Sequence, residues 1–297
     1  MDPIYSPRRM LLTICNALVL PFLMLIPKAR RNTFLWNIRK WIYPLVRFML
    51  FPAQCRERFR TPIWHNESER GKSERLILGF GGNSAIIDEF PEEFDQMFFA
   101  DRTHFDAAKD CALFIPVIRQ HSQSEYLAAL MQLIEHALKD IDLHRYEKIY
   151  IMAHSLGGAI ALQLIHRFFE LYPEKRIILT LDRTLSSVAD VAIGSYGIFG
   201  HLLERTLGSL WQFRSKETLE LLSRDSRIDV LLIQSIPDSV LGPGLLSHCW
   251  PKHHPESWST LLVDYGKRNV YHAAPFKTIL ATRQGKEAAA LWLSRKD

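Results

Sequence analysis

Between Lys148 and Tyr172 the chain changes from one kind of regular structure to another within two residues. "KIYIMA" (148–153) is a continuous apolar run of strand type. "LGGAIALQLIHRFFELY" (156–172) is a helical run stopped by Pro173, and only His154 and Ser155 separate the two. The same alternation recurs along the chain. "ERLILGF" (74–80), "ALFIPV" (112–117), "RIILTL" (176–181), "IDVLLIQ" (228–234) and "STLLVDY" (259–265) read as strands. "SEYLAALMQLIEHALKDI" (124–141) carries Leu127, Leu130, Met131, Ile134 and Leu138 at helical spacing with Ser124 as a cap, and "KTILATRQGKEAAALWLSR" (277–295) reads as a closing helix. Strands that are apolar throughout, and not alternately polar, have both faces covered. With helices between them they predict a mostly parallel sheet with helices on both faces.

The 297 residues suffice for one large domain of this kind, and 47% hydrophobic with 23% charged residues is ordinary globular usage. The formal charge of +5 is unevenly spread. Residues 1–60 hold eleven Lys and Arg against Asp2 and Glu57, a balance of +9, so the rest of the chain carries 5 − 9 = −4. A mildly acidic body argues against nucleic acid as a partner. Cys15, Cys55, Cys111 and Cys249 are scattered, with neither metal-ligand spacing nor a disulfide framework. No metal and no organic cofactor is expected.

Residues 1–60 form a segment of their own. "MLLTICNALVLPFLMLI" (10–26) is seventeen residues without a charge, flanked by Arg8 and Arg9 before it and by Lys28, Arg30 and Arg31 after it. Seventeen is the lower edge for a spanning helix, and Asn16 and Pro21 weaken it. The following stretch sets Phe34, Ile38, Trp41, Leu45 and Phe48 at helical spacing, with Trp36 nearby and Arg39, Lys40 and Arg47 interleaved. Aromatic and basic side chains mixed in this way suit a helix lying in a membrane interface. The expectation is a membrane-associated segment over 1–60 and a separate folded body over 61–297. The other reading is an apolar helical pair packed on that body.

The strand–turn–helix passage at "AHSLG" (153–157) is the setting in which a serine hydroxyl is lifted clear of the carboxyl edge of a sheet. The turn presses backbone on backbone, so the residues two before and two after the serine must be small. Gly157 is; Ala153 adds one methyl. The amide of Leu156 and the partial positive charge of the helix N-terminus lie beside the hydroxyl. With these features the chain, from about Glu74 to Asp297, resembles the α/β-hydrolase superfamily, in which some lipases carry alanine at the position of Ala153. The resemblance implies a mostly parallel sheet with helices on both faces, a small helical cap over about 186–227, and a nucleophile, acid and base in that chain order. Ser155 is then the nucleophile. The loop "GFGGNS" (79–84) supplies a second oxyanion amide beside that of Leu156, from Gly82 or Asn83. Asp238, just past a strand in "IDVLLIQSIPDSVLGP", fits the acid. Asp182 is the alternative, although Arg183 beside it suits a structural ion pair. His272, between the last strand and the closing helix, fits the base. His248, His253 and His254 precede that strand, and His254 is the alternative base. His154 is expected to face away from the site and to serve packing. Little in "TPIWHNESERGKSE" (61–74) reads as strand, so a sheet smaller than the family standard is expected.

The expected cap stretch is apolar and aromatic, with Tyr196, Phe199, Leu202, Leu203, Leu207, Leu210 and Trp211, which suits an acyl chain or the cap's own core. The resemblance and the composition together imply a serine hydrolase that cleaves an ester or thioester of a lipid or acylated small molecule at a membrane surface. A peptidase or amidase on the same triad, and a hydrolase-like domain that binds lipid or protein without catalysis, are the other two readings.

Overall fold

The computed structural model describes residues 62–82, 110–115, 123–196, 201, 212–236, 238, 240–264 and 272. The segment 1–60, Asn83, residues 197–200 and 202–211 of the expected cap, and the closing helix lie outside the described residues. Seven strands form one sheet among those described: β1 (Ile63–His65), β2 (Arg75–Phe80), β3 (Asp110–Ile115), β4 (Lys148–His154), β5 (Arg176–Asp182), β6 (Ile228–Ile236) and β7 (Ser259–Asp264), in spatial order β1-β3-β2-β4-β5-β6-β7. All neighbouring pairs are parallel except β1 and β3. The apolar runs behave as their composition requires. Every residue of β3 is buried, as is every residue of β2 and β5 after the first.

β1 forms in a stretch, 61–74, where the sequence offers little strand signal. Ile63, Trp64 and His65 pair with Phe114, Leu113 and Ala112. Three residues are too few to show a period of two, and the pairing is supplied by the edge of β3, so the sequence around β1 carries almost no signal of its own. At the amino end of the sheet Arg75 makes two hydrogen bonds to the Asp110 carboxylate, at 2.6 and 2.7 Å, across two residues that are register partners.

Four helices are described: α1 (Gln123–Leu138), α2 (Leu156–Leu171), α3 (Val188–Tyr196) and α4 (Ser215–Leu222). α1 buries Tyr126, Leu130, Ile134 and Leu138, one residue per turn, with Met131 beside them. α2 buries ten residues, among them Ile160, Leu164 and Phe168, at about 1.5–3 kcal/mol for each large apolar side chain. It ends where the Tyr172 amide donates to the Phe168 carbonyl, one residue before Pro173. α4, the last part of the insertion expected as a cap, packs on α2, and Gln163 Nε2 donates to Thr218 Oγ1 at 2.8 Å.

The strand order fixes where a site can form. From β2 the chain goes outward to β3 on one side and then crosses back to β4 on the other. β2 and β4 are neighbours whose onward connections diverge, which leaves a crevice at their carboxyl ends. Gly81 and Gly82 follow β2 there, and Ser155 follows β4.

Candidate active site

Ser155 has φ 54° and ψ −121°, a backbone conformation that side chains rarely adopt and that costs about 1–3 kcal/mol. Its surroundings hold it there. The Ser155 amide donates to the Asp182 carbonyl at 2.9 Å, which ties the turn to β5, and the Gly158 amide donates to the Ser155 carbonyl at 3.1 Å. The two glycines that open α2 make this closeness possible. A Cβ on Gly157 would lie 2.4 Å from the Phe80 carbonyl oxygen, and one on Gly158 would lie 1.9 Å from Thr184 Oγ1. The third close approach is Gly82, where a Cβ would meet the Ser155 Cβ at 3.2 Å and the His154 ring at 3.0 Å. Ala153, by contrast, is buried at 4% exposure with its methyl in place.

Three of the predicted side chains meet above the β4–α2 turn. His272 Nδ1 and Asp238 Oδ2 are 2.9 Å apart, and His272 Nε2 and Ser155 Oγ are 2.6 Å apart. Asp238, two residues beyond β6, also accepts amide hydrogens from Val240 and Leu241 on its other oxygen, each at 2.9 Å. Burial pushes the Asp238 carboxyl upward, but the His272 hydrogen bond and charge and the two amides outweigh it. Its pKa stays below the ordinary value, so it is a carboxylate at neutral pH. A carboxylate can only accept, so His272 Nδ1–H is the donor. Nε2 is left with a lone pair, which accepts the Ser155 hydroxyl proton. Both Asp238 and His272 are less than a tenth exposed. Leu156, first residue of α2, has an amide that the helix itself cannot satisfy. Leu156 and Gly82 flank Ser155 as the sequence places them; Asn83 is outside the described residues.

No protein-family model matches the chain, and no curated protein matches it. Solved structures do. An α/β hydrolase from Vibrio vulnificus superposes with a TM-score of 0.51 at 16% identity, over 77% of this chain and 75% of that one. The chain has the α/β-hydrolase fold. An esterase from Pyrococcus furiosus (TM-score 0.49, 10% identity, 79% of this chain and 86% of that one) and a monoacylglycerol lipase from Paleococcus ferrophilus (0.44, 13%, 79% and 96%) are also similar to it. Ser155, Asp238 and His272 follow one another in that order along the chain.

The alternatives go elsewhere. Asp182 ends β5 and pairs with Arg183, whose Nε and second guanidinium nitrogen donate to it at 2.9 and 2.6 Å. Burial pushes the Asp182 carboxyl upward, but the Arg183 charge and the His154 hydrogen bond reverse this and hold it well below the carboxylate range. Arg183 is fully buried with φ 46°. His254 is exposed, its Nδ1 is 3.0 Å from the Pro255 carbonyl and its ring rests near Trp250. His154 corrects its expectation. It does not face away: its Nδ1 is 2.9 Å from Asp182 Oδ2, and its ring centroid is 5.1 Å from that of His272. The signal for this was in the strands. His154 and Asp182 are register partners at the ends of adjacent parallel strands, so their side chains leave the same face.

No helix among the described residues is long and apolar enough to cross a membrane, and no His, Cys, Asp or Glu group among them could hold a metal ion. Cys111 and Cys249 are free thiols, and burial pushes Cys111 up to about 12, so it is inert at neutral pH.

Proposed function

We propose that the chain is a serine hydrolase that cleaves an ester or thioester of a lipid or another acylated small molecule through an acyl-enzyme. The observation that carries this reading is the unbroken hydrogen-bonded chain from Ser155 Oγ through the His272 ring to the Asp238 carboxylate. In it, His272 Nε2 takes the hydroxyl proton as Ser155 Oγ bonds to the acyl carbon, and the carbonyl electron pair moves onto oxygen. The amides of Leu156 and of Gly82 or Asn83 receive that oxyanion. The partial positive charge at the start of α2 favours it further. Asp238 stabilises the imidazolium and keeps the correct tautomer. The oxyanion collapses, His272 gives its proton to the leaving alcohol or thiol, and the acyl group remains on Ser155. Water, with His272 again as base, releases the acid.

The preference for lipid-like acyl groups rests on the apolar stretch between 186 and 211. The proposed site of action, a membrane surface with anionic lipids, rests on the basic and aromatic segment 28–60. A panel of p-nitrophenyl esters, acyl thioesters and anilides of matched chain length tests the reaction class. The reading expects turnover of esters or thioesters that Ser155→Ala reduces by roughly 10⁴ or more. Turnover confined to anilides would replace it with an amidase. Turnover untouched by Ser155→Ala would remove the serine from the chemistry.

A further inference from the structure

The two hydrogen bonds of His272 leave the tilt of its ring to its covalent attachment and its packing. They hold Nδ1 to Asp238 and Nε2 to Ser155, and so fix the line through the two nitrogens. The ring can still rock about that line. Rocking moves the Nε2 lone pair off the Ser155 hydroxyl without breaking either bond outright. On one side the ring of His154 lies against that of His272, with centroids 5.1 Å apart and planes inclined at 35°.

A stop must itself be fixed, and His154 is. Its backbone ends β4 immediately before the strained Ser155, and the edge of its ring lies 3.0 Å from where a Cβ on Gly82 would sit. Its Nδ1 is held by Asp182 Oδ2 at 2.9 Å. Asp182 in turn is clamped by both guanidinium contacts of the fully buried Arg183. Arg183 has its own anchor, since its amide donates to the Ile233 carbonyl at 2.7 Å. β5 and β6 therefore hold a second His–carboxylate chain directly beside the first.

We propose that His154, held by Asp182 and Arg183, is a positioning residue that fixes the tilt of the His272 ring and meets the transient imidazolium as a neutral partner. This rests on the hydrolase reading given above. Neutrality follows from the groups around the ring: Asp182 and Arg183 from β5 and its turn, and His272 from the opposite side. The Asp182 carboxylate favours the cation and the Arg183 guanidinium opposes it. Burial, partly offset by the Asp182 bond, and the charges of Arg183 and His272 push the imidazole toward its uncharged form. A His154 cation would instead repel the charge that His272 acquires in each turnover.

The test measures the rate at which a fluorophosphonate probe phosphonylates the full chain between pH 5 and 9, in wild type, Ser155→Ala, His154→Ala, His154→Asn and His154→Phe. Wild type must react and Ser155→Ala must not; if this fails, the hydrolase reading falls and not the positioning role. Given that reaction, His154→Ala should be slower by about 10–100-fold, the scale of a small misplacement of a catalytic group. His154→Asn, whose amide nitrogen can take the place of Nδ1 toward Asp182, should recover most of the rate. Its acid-side midpoint should match that of wild type, because a neutral group has been exchanged for a neutral group. Should His154→Ala not fold, His154→Phe stands in for it: it fills the space, cannot bond to Asp182, and should remain slow. Wild-type rates in His154→Ala or His154→Phe would overturn the proposal. So would an Asn variant that folds and is as slow as Ala, or an Asn midpoint displaced from that of wild type.

Discussion

Gly157→Ala adds a single methyl group and should cost both stability and reactivity. The methyl would lie 2.4 Å from the Phe80 carbonyl oxygen and 2.5 Å from that of Gly81, whereas real Cβ atoms essentially never come within 3.0 Å of another heavy atom. The backbone must therefore give by at least 3.0 − 2.4 = 0.6 Å. Both obstructing atoms are main chain, so no side chain can swing aside. The displaced segments are the end of β2, which leads to Gly82, and the start of α2, which carries Ser155 and the Leu156 amide. Overpacking of this kind costs about 1–3 kcal/mol. In a domain of this size that is a fall in Tm of roughly 2–12 °C. A shift of more than half an ångström at Ser155, where 1 Å at a reacting group can cost about 100-fold, should slow labelling by about 10–100-fold. Differential scanning fluorimetry and fluorophosphonate labelling of the same preparation measure the two effects. Ala153→Gly is the control on the other side of the serine: it should leave labelling within about 3-fold and lose only about 0.5–1 kcal/mol, the cost of a glycine in a strand. Labelling of Gly157→Ala at the wild-type rate with an unchanged Tm would refute the close-packed turn.

Three more outcomes are expected. Asp238→Asn should slow labelling by about 10⁴, because the amide no longer selects the His272 tautomer. Asp182→Asn should instead lower stability, by about 3–5 kcal/mol for stranding the buried Arg183 charge, and its folded fraction should label far faster than Asp238→Asn does. Equal labelling rates would contradict the separate roles of the two carboxyls. Stability should decline as pH falls from 7 to 5. The His154 imidazole has its pKa lowered by burial from the ordinary 6.5, so below 6.5 the unfolded chain holds the extra proton, and this stabilisation is lost as pH drops toward the folded value. His154→Asn should flatten that slope in chemical denaturation; an unchanged slope would contradict a depressed imidazole. Finally, the full chain should co-sediment with anionic vesicles, at about 1 kcal/mol per basic side chain near the surface, whereas a chain starting at Arg60 should not. Equal binding of both would move the attachment elsewhere.

The sequence made the sheet legible because buried parallel strands are apolar throughout and cannot be mistaken for alternating surface strands. β2 to β7 fall within two residues of the runs that predicted them. β1 was hidden because its pairing is contributed by β3. Ser155 could be singled out because the change from strand to helix within two residues leaves only one place for a side chain to project. For the acid the sequence favours Asp238 over Asp182 by its place in the later loop, although both stand at strand ends and chain order admits either. What separates them is the neighbouring residue in space. Asp182 is occupied by Arg183 and His154, whereas Asp238 has one oxygen on two amides and the other on His272. The pairing of His154 with Asp182 was open to a register argument across β4 and β5, which needs the strand order that only the structure supplies.

The account stands most directly on the reactivity of one hydroxyl. Full-length protein is treated with a fluorophosphonate at neutral pH, digested, and the modified peptide located by mass spectrometry. The account predicts a single stoichiometric adduct on Ser155, and no adduct on the Ser155→Ala or His272→Ala proteins over the same time. A folded wild-type protein that gains no adduct, or carries it on another residue, would contradict it.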